Sequence, residues 1–229
     1  MTAKKMIRNI EPDDPMLQYS GRIDDDDPKA PVFIYAASWV KMIFTGTSVA
    51  VTLANHHAYW TNEMGYLLDG VQGRIRLLND GKKKTYEIAG QLQDARHELL
   101  LFKRMDACHT VTFYGFTVDD GADLLPPEPK PARRMEVFGD SVSCGEVSEA
   151  VDYVGKEDPV HDGQYSNSWY SYAWMTARML NAQIHDIAQG GIALMDGQGW
   201  FHEPEQIGME SAWNKIRFNK TFGELTEWD

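Results

Sequence analysis

Arg134-Met135-Glu136-Val137-Phe138-Gly139-Asp140-Ser141 is the stretch on which the reading of this chain turns. A short strand pattern runs straight into turn-forming residues, with the small Val142-Ser143-Cys144-Gly145 after them. Downstream, Ser166 or Asn167 is placed to cap a helix in which Trp169, Tyr172, Ala173, Thr176, Ala177 and Leu180 recur at helical spacing, closed by Asn181. Gln183-Ile184-His185-Asp186-Ile187-Ala188 reads as a second strand and ends at Gly190-Gly191. Strand, helix, strand is a βαβ unit, and a right-handed crossover lays the two strands parallel. In such sheets reactive groups gather beyond the carboxyl ends of the strands. Ser141 and the paired glycines are thereby expected on one rim, where the amides of Ser141 and Gly191 can bind a developing oxyanion. That is half of an acyl-transfer site. Gly-Asp-Ser alone also makes an ordinary turn; the strand before it and the glycine pair opposite are what raise it. Asp140 as a phosphoacceptor or magnesium ligand lacks a second acidic cluster at either strand end.

Working outward, Pro126-Pro127-Glu128-Pro129-Lys130-Pro131 carries four prolines and marks an extended spacer. Upstream of it about eight strand-like runs, from Val32-Phe33-Ile34-Tyr35-Ala36 to Thr110-Val111-Thr112-Phe113-Tyr114-Gly115-Phe116, are separated by turn residues with no convincing helix. That pattern predicts a β-sandwich, a jelly roll being a natural form of it. Asn79-Asp80-Gly81 before three lysines reads as a hairpin tip. Beyond the βαβ unit, residues 210–228 are expected to be a helical tail whose Trp213, Ile216, Phe218, Phe222 and Leu225 seek a surface. A βαβ unit has too few strands to cover a parallel sheet on both faces, so something further is expected to pack there.

The composition narrows the partners. The 229 residues carry 22 Lys and Arg against 34 Asp and Glu, net −12, a field that repels phosphate backbones and anionic membranes. No run has the roughly 18 apolar residues of a membrane span, and the opening lacks a signal-peptide core. The expectation is a cytoplasmic protein with no nucleic-acid or membrane partner, whose two cysteines, Cys108 and Cys144, are free thiols. Asp24-Asp25-Asp26-Asp27 lacks the spaced ligands of a calcium loop and reads as a solvated turn.

Phe138-Gly139-Asp140-Ser141 with Cys144-Gly145 resembles the first block of SGNH (GDSL-type) hydrolases, and Ser166-Asn167-Ser168-Trp169-Tyr170 through Ala188-Gln189-Gly190-Gly191-Ile192-Ala193-Leu194 resembles their helix and second block. More narrowly, the chain resembles carbohydrate esterase family 2, whose members join an N-terminal jelly roll to an SGNH domain and remove O-acetyl groups from plant polysaccharides and oligosaccharides. Tyr19-Ser20-Gly21-Arg22-Ile23, Phe44-Thr45-Gly46-Thr47-Ser48, Leu68-Asp69-Gly70, His97-Glu98-Leu99, Phe102-Lys103-Arg104 and Phe113-Tyr114-Gly115-Phe116 carry the same likeness upstream. The resemblance implies a jelly-roll domain at 1–125, a Pro-rich linker at 126–132, and the first part of a flavodoxin-like SGNH domain at 133–229. It implies an acetyl esterase with Ser141 as nucleophile, Ser141 and Gly191 as oxyanion-hole donors, an acetylated oligosaccharide as substrate, and neither metal nor organic cofactor. Gly190-Gly191 stands where many relatives have Ser-Gly.

The family's Gly-x-Asn-Asp block and its Asp-x-x-His near the C-terminus do not occur in these residues, yet a serine hydroxyl needs an adjacent base. Of the seven histidines, His56, His57, His97 and His109 fall in the sandwich and read as structural. His185 lies inside a strand, and His161 and His202 lie in loops able to face the cleft. The preferred expectation puts the base on a segment beyond residue 229, in a longer gene product or a complementary chain. Among the loop aromatics Trp39, Tyr59, Trp60, Trp200 and Phe201, Trp200 has the strongest case for stacking on a sugar. Two rival readings stand beside this one, a non-catalytic carbohydrate-binding module and an esterase of small acyl or lipid esters.

Overall fold

The structure, a computed structural model, describes residues 7–160, 162–199 and 206–228. Twelve strands precede the proline-rich stretch: β1 (Ile7–Ile10), β2 (Gln18–Ser20), β3 (Ile23–Asp24), β4 (Val32–Phe33), β5 (Trp39–Gly46), β6 (Val49–His56), β7 (Glu63–Leu68), β8 (Val71–Arg76), β9 (Lys84–Ala89), β10 (Ala95–Lys103), β11 (Thr110–Asp119) and β12 (Leu124–Leu125). They form two antiparallel sheets, ordered β3-β4-β11-β6-β9 with β1 also on β11, and β12-β5-β10-β7-β8 with β2 also on β5. One buried cluster takes Val40, Met42, Phe44, Leu99 and Leu101 from one sheet and Val51, Leu53, Val111 and Phe113 from the other, which makes the pair a sandwich.

Two local expectations need correction. Asn79-Asp80-Gly81 is not a hairpin tip, because it carries the chain from β8 in one sheet to β9 in the other. Asn55 Nδ2 holds this crossing through Asn79 Oδ1 at 2.9 Å. The two-residue hairpin is instead Asp69-Gly70 between β7 and β8, where both residues have positive φ, 52° and 80°, as a type I′ turn requires. Asp69 also clasps β10: its Oδ2 lies 2.6 Å from His97 Nδ1 and its Oδ1 accepts from Glu98 N at 2.8 Å. The structural reading of His97 holds.

After the prolines come β13 (Arg133–Gly139), α1 (Ser141–Cys144), α2 (Tyr172–Met179), β14 (Ala182–Ala188), α3 (Met209–Ala212), β15 (Lys215–Arg217) and β16 (Thr226–Glu227). β13 and β14 pair in parallel from Arg133↔Ala182 to Gly139↔Ala188. The proline stretch is pinned at its middle and its C-terminal end, since Gln18 Nε2 donates to Glu128 O and Gln183 Nε2 to Pro131 O, each at 2.7 Å.

The expected single helix is broken at Ser171, whose extended backbone (φ −64°, ψ 147°) and side-chain oxygen cap α2. A 3-10 turn, Ser168–Tyr170 capped by Asn167, precedes it. The restart shifts the phase: Ala173, Trp174 and Ala177 are buried, while Tyr172, Thr176 and Leu180 face out. The tail also departs from expectation. Beyond the one-turn α3, β15 and β16 make a small antiparallel sheet. Ile216 and Phe218 are buried at the two-residue period of a strand. Carbonyls that a helix would have used are taken by the sandwich: Arg22 Nη1 donates to Trp213 O at 2.6 Å and Tyr35 Oη to Lys215 O at 2.7 Å. The surface that the tail seeks is thus the sandwich itself, with Tyr35 stacked on Phe218 at 5.7 Å. Trp213 and Leu225 stay half exposed. Asp24 ion-pairs with Arg217 of this tail. Among the described residues no helix is long and apolar enough to cross a membrane.

β10 joins the two parts. Leu99 and Leu101 point into the sandwich core, whereas Leu100 and Phe102 point the other way, into a second core with Trp39, Ala173, Trp174, Ala177 and Ile184. The Phe102 ring is fully buried, with its centroid 5.2 Å from that of Trp174 and 5.9 Å from that of Trp169. Truncating a buried aromatic costs about 3–5 kcal/mol. Phe102→Ala is expected to lower Tm by on the order of 10 °C, with tryptophan fluorescence and far-UV dichroism shifting together. Separate transitions for the sandwich and the α/β part would contradict this shared core.

Candidate active site

The serine rim is built by the ladder between β13 and β14. Gln189 N donates to Gly139 O at 3.2 Å, one step beyond the last strand pair, so both strands end level. Asp140 leaves β13 as the cap of α1, its Oδ1 accepting from Val142 N at 3.0 Å, and Ser141 opens the helix with its side chain half-buried. Opposite, Gln189-Gly190-Gly191-Ile192 is a tight turn closed by Ile192 N on Gln189 O at 3.3 Å. Gly191 has φ +76° at the third position, the conformation that type II turns reserve for glycine. Ser141 and Gly191 therefore stand on the same rim, as expected. Among the described residues neither the Ser141 nor the Gly191 amide has an acceptor, and the Ser141 hydroxyl has no hydrogen-bond partner.

The neighbouring Gly190 amide, by contrast, is committed. It donates to Asp106 Oδ2 at 2.8 Å, and Gln189 Nε2 donates to the same oxygen at 2.7 Å. Asp106 belongs to the sandwich loop between β10 and β11, where Lys103 and Arg104 also meet the α/β part. Ser168 Oγ donates to Lys103 O at 2.7 Å, Ser168 N to Arg104 O at 2.9 Å, and Arg104 Nη2 lies 2.7 Å from Glu149 Oε2. The half-buried Glu146 faces Gly190 as well; burial first, then Asp106 and Asp140, push its carboxyl up from the ordinary range. Sequence reasoning missed Asp106 and Glu146. For Asp106 no local signal points to the glycine turn, because its partners there lie 83 and 84 residues away.

Among the described residues the histidines do not complete a triad. His185 sits inside β14, its Nδ1 3.5 Å from Glu136 Oε1 and its ring edge-on to Trp228, a packing role. His109 is fully buried, accepts from Ala58 N at 3.1 Å, and is held neutral with its pKa pulled down to about 2 by burial. Among the described residues no histidine hydrogen-bonds to Ser141. His161, His202, Phe201 and the sugar-stacking candidate Trp200 lie outside the described residues. Of the other aromatics, Trp39 packs in the Phe102 core, and Tyr59 meets Trp60 edge-on in the loop after β6. Trp60 also borders a crevice with Met105, Asp106, Cys144, Glu146 and Ser166 next to the rim. Both cysteines are free and buried, and burial pushes their thiols up. Roomier cavities lie elsewhere, one of about 330 Å³ beside His56, Thr112 and Phe218 and one of about 710 Å³ beside Glu136, His185 and Trp228, and neither includes Ser141.

The rim thus sets a serine at one strand end and a glycine turn at the other, on a parallel pair backed by a β-sandwich. Residues 19–128 match the family model for the carbohydrate esterase 2 N-terminal region. The chain is 32% identical over 188 residues to cellulase/esterase CelE of Acetivibrio thermocellus, covering 82% of this chain and 22% of that protein. It is 26% identical over 222 residues to an acetylxylan esterase / glucomannan deacetylase of Cellvibrio japonicus, covering 96% of this chain and 58% of that protein. Among solved structures, a family two carbohydrate esterase from Cellvibrio japonicus matches in fold with TM-score 0.81 at 24% identity over 98% of this chain and 64% of that one. One from Clostridium thermocellum, in complex with cellohexaose, matches with TM-score 0.77 at 26% identity over 93% of this chain and 61% of that one. Residues 19–128 thus carry the carbohydrate esterase 2 N-terminal region, and the similarity to family two carbohydrate esterases continues through the rest of the chain. The chain spans less than two thirds of each of these relatives.

One buried group beneath the rim titrates against stability. Asp186 is 2% exposed, neither of its oxygens has a hydrogen-bond partner among the described residues, and burial pushes its pKa well above the ordinary range. The folded protein holds a proton there that the unfolded chain releases above about pH 4, so this group's contribution to stability falls as pH rises. Asp186→Asn removes that penalty. The Tm of the variant minus that of the wild type should be larger at pH 8 than at pH 4, as read by calorimetry; the reverse order would contradict a neutral Asp186.

Proposed function

We propose that this chain is the sandwich and nucleophile-bearing part of a carbohydrate O-acetyl esterase, a jelly roll joined to an SGNH-type α/β unit. The observation that carries the reading is the pair of uncommitted amides, Ser141 N and Gly191 N, on the rim that bears the Ser141 hydroxyl. Ser141 Oγ attacks the acetyl carbonyl and forms a tetrahedral intermediate, whose oxyanion accepts from those two amides. A histidine takes the hydroxyl proton and returns it to the departing sugar oxygen. Water, activated by the same histidine, then releases acetate and restores the serine. The substrate class, acetylated plant oligosaccharides and polysaccharides, is supported by the one relative named acetylxylan esterase / glucomannan deacetylase and by the cellohexaose complex of another.

The histidine is proposed to come from polypeptide outside residues 1–229, in the same product or a second chain. Parallel strands are ordinarily covered on both faces, yet among the described residues β13 pairs with β14 alone, and no residue along it is buried. Phe138, Val142, Tyr172, Met175 and Met179, all 43% exposed or more, line the surface around its open edge and α2. A further strand and helix pairing there would cover these side chains and bring a base to Ser141.

The test is hydrolysis of 4-nitrophenyl acetate and of acetylated xylo-oligosaccharide by the 229-residue chain, alone and with the polypeptide encoded downstream of it. Turnover is expected only in the combination, with Ser141→Ala lowering kcat at least about 10³-fold and butyryl esters reacting far more slowly than acetyl. Full activity of the chain alone would overturn the external base. Activity that survives Ser141→Ala would overturn the nucleophile. Oligosaccharide binding without turnover in the combination would favour a binding module.

A further inference from the structure

Asp106 is 7% exposed and spends its carboxylate on three donors. Oδ1 accepts from Cys108 N at 3.1 Å, and Oδ2 accepts from both Gln189 Nε2 and Gly190 N, at 2.7 and 2.8 Å. Its backbone carbonyl accepts from the fully buried Lys103 ammonium, which also donates to Met105 O at 2.8 Å, so a buried cation sits beside the buried anion. A Cβ on Gly190 would lie 2.7 Å from Asp106 Oδ2, closer than a side chain at that position tolerates. The carboxylate therefore grips the backbone of the glycine turn itself. Of the two successive glycine amides, the one gripped is that of Gly190, and the one left without an acceptor among the described residues is that of Gly191.

We propose that Asp106, a sandwich residue, is a positioning residue for ester hydrolysis: by holding Gly190 it aims the Gly191 amide at the place where the oxyanion forms. This rests on the reading of Ser141 and Gly191 given above. The sandwich thereby contributes to the chemistry without touching the substrate. An oxyanion donor must be aligned before the charge develops, because reorganising it during reaction forfeits its advantage. A peptide amide next to two glycines has no side-chain packing of its own to keep it aligned, and the charged hydrogen bond from Asp106 supplies that restraint. Loss of the restraint weakens binding of the transition state while leaving the ground-state ester largely unaffected, so kcat falls and KM does not.

The test has two readouts. In the 229-residue chain, amide hydrogen exchange by NMR is expected to find Gly190 protected and Gly191 not. Asp106→Ala should speed Gly190 exchange at least about 10-fold, the size of an effect worth one hydrogen bond, while the amides of β6 and β11 keep their rates. In the ester-hydrolysing combination, Asp106→Ala should lower kcat by about 10–100-fold, below the loss for removing a donor outright, with KM within about 2-fold. Asp106→Asn should fall between, since one of its two terminal atoms becomes a donor facing a donor. Unprotected Gly190 in the wild type, unchanged Gly190 exchange in Asp106→Ala, or a raised KM at constant kcat would each overturn the proposal. Ser141→Ala separates the two ideas: it should abolish turnover and leave Gly190 exchange untouched, so turnover that survives it would sink the esterase reading, whereas the exchange result judges the grip of Asp106.

Discussion

A single strand with two buried faces ties this molecule together. Along β10, Leu99 and Leu101 fill the sandwich while Leu100 and Phe102 fill the core beneath α2 and β14. An antiparallel sheet commonly leaves one face to water; here the second face is the wall on which the βαβ unit is laid. The loop leaving that strand then reaches the glycine turn through Asp106, so the polar joint lies only four residues beyond Phe102 of the hydrophobic one. The sandwich is consequently part of the frame of the serine rim.

That frame explains why a rim assembled from two strand ends stays aligned although β13 is open along one edge. β14 is buried between the sandwich and α2, with Ile184, Asp186, Ile187 and Ala188 all buried. β13 hangs from β14 through the parallel ladder. The Ser141 side of the rim is thus carried by the more exposed strand, and the Gly191 side by the strand fixed to the sandwich. The polar groups of the joint, Lys103, Arg104, Asp106 and Asn167, are all buried and bonded to one another's segments; Asn167 Nδ2 alone reaches Glu149 Oε1 at 2.6 Å and Gln72 Oε1 at 3.1 Å. Buried polar groups of this kind are costly to leave unpaired, which makes the relative position of the two parts specific.

Much of this was legible in the sequence where a period or a turn signal is local. The alternation of the sandwich strands, the strand into Gly-Asp-Ser and the paired glycines after Ala188 were all readable, and Ser141 and Gly191 do share a rim. The phase of α2 was not, because Ser171 takes an extended backbone and restarts the helix. The tail defeated periodicity for another reason: Arg22 and Tyr35, some 180 to 190 residues earlier, bind its carbonyls and hold it as a strand. The grip of Asp106 on Gly190 is of the same long-range kind. Stretches that carry the family resemblance also acquire physical content, since Leu68-Asp69-Gly70 and His97-Glu98-Leu99 meet through the Asp69 carboxylate.

The central proposal is geometric: the Ser141 hydroxyl attacks the acetyl carbon while the amides of Ser141 and Gly191, framed by the sandwich, bind the oxyanion that forms on it. Its most direct test is a crystal structure of the ester-hydrolysing combination after reaction with an alkyl fluorophosphonate, a tetrahedral mimic of the intermediate. The predicted result is phosphorus bonded to Ser141 Oγ, with its phosphoryl oxygen about 2.7–3.1 Å from both Ser141 N and Gly191 N. Phosphorus on another residue, or a phosphoryl oxygen turned away from Gly191, would contradict it.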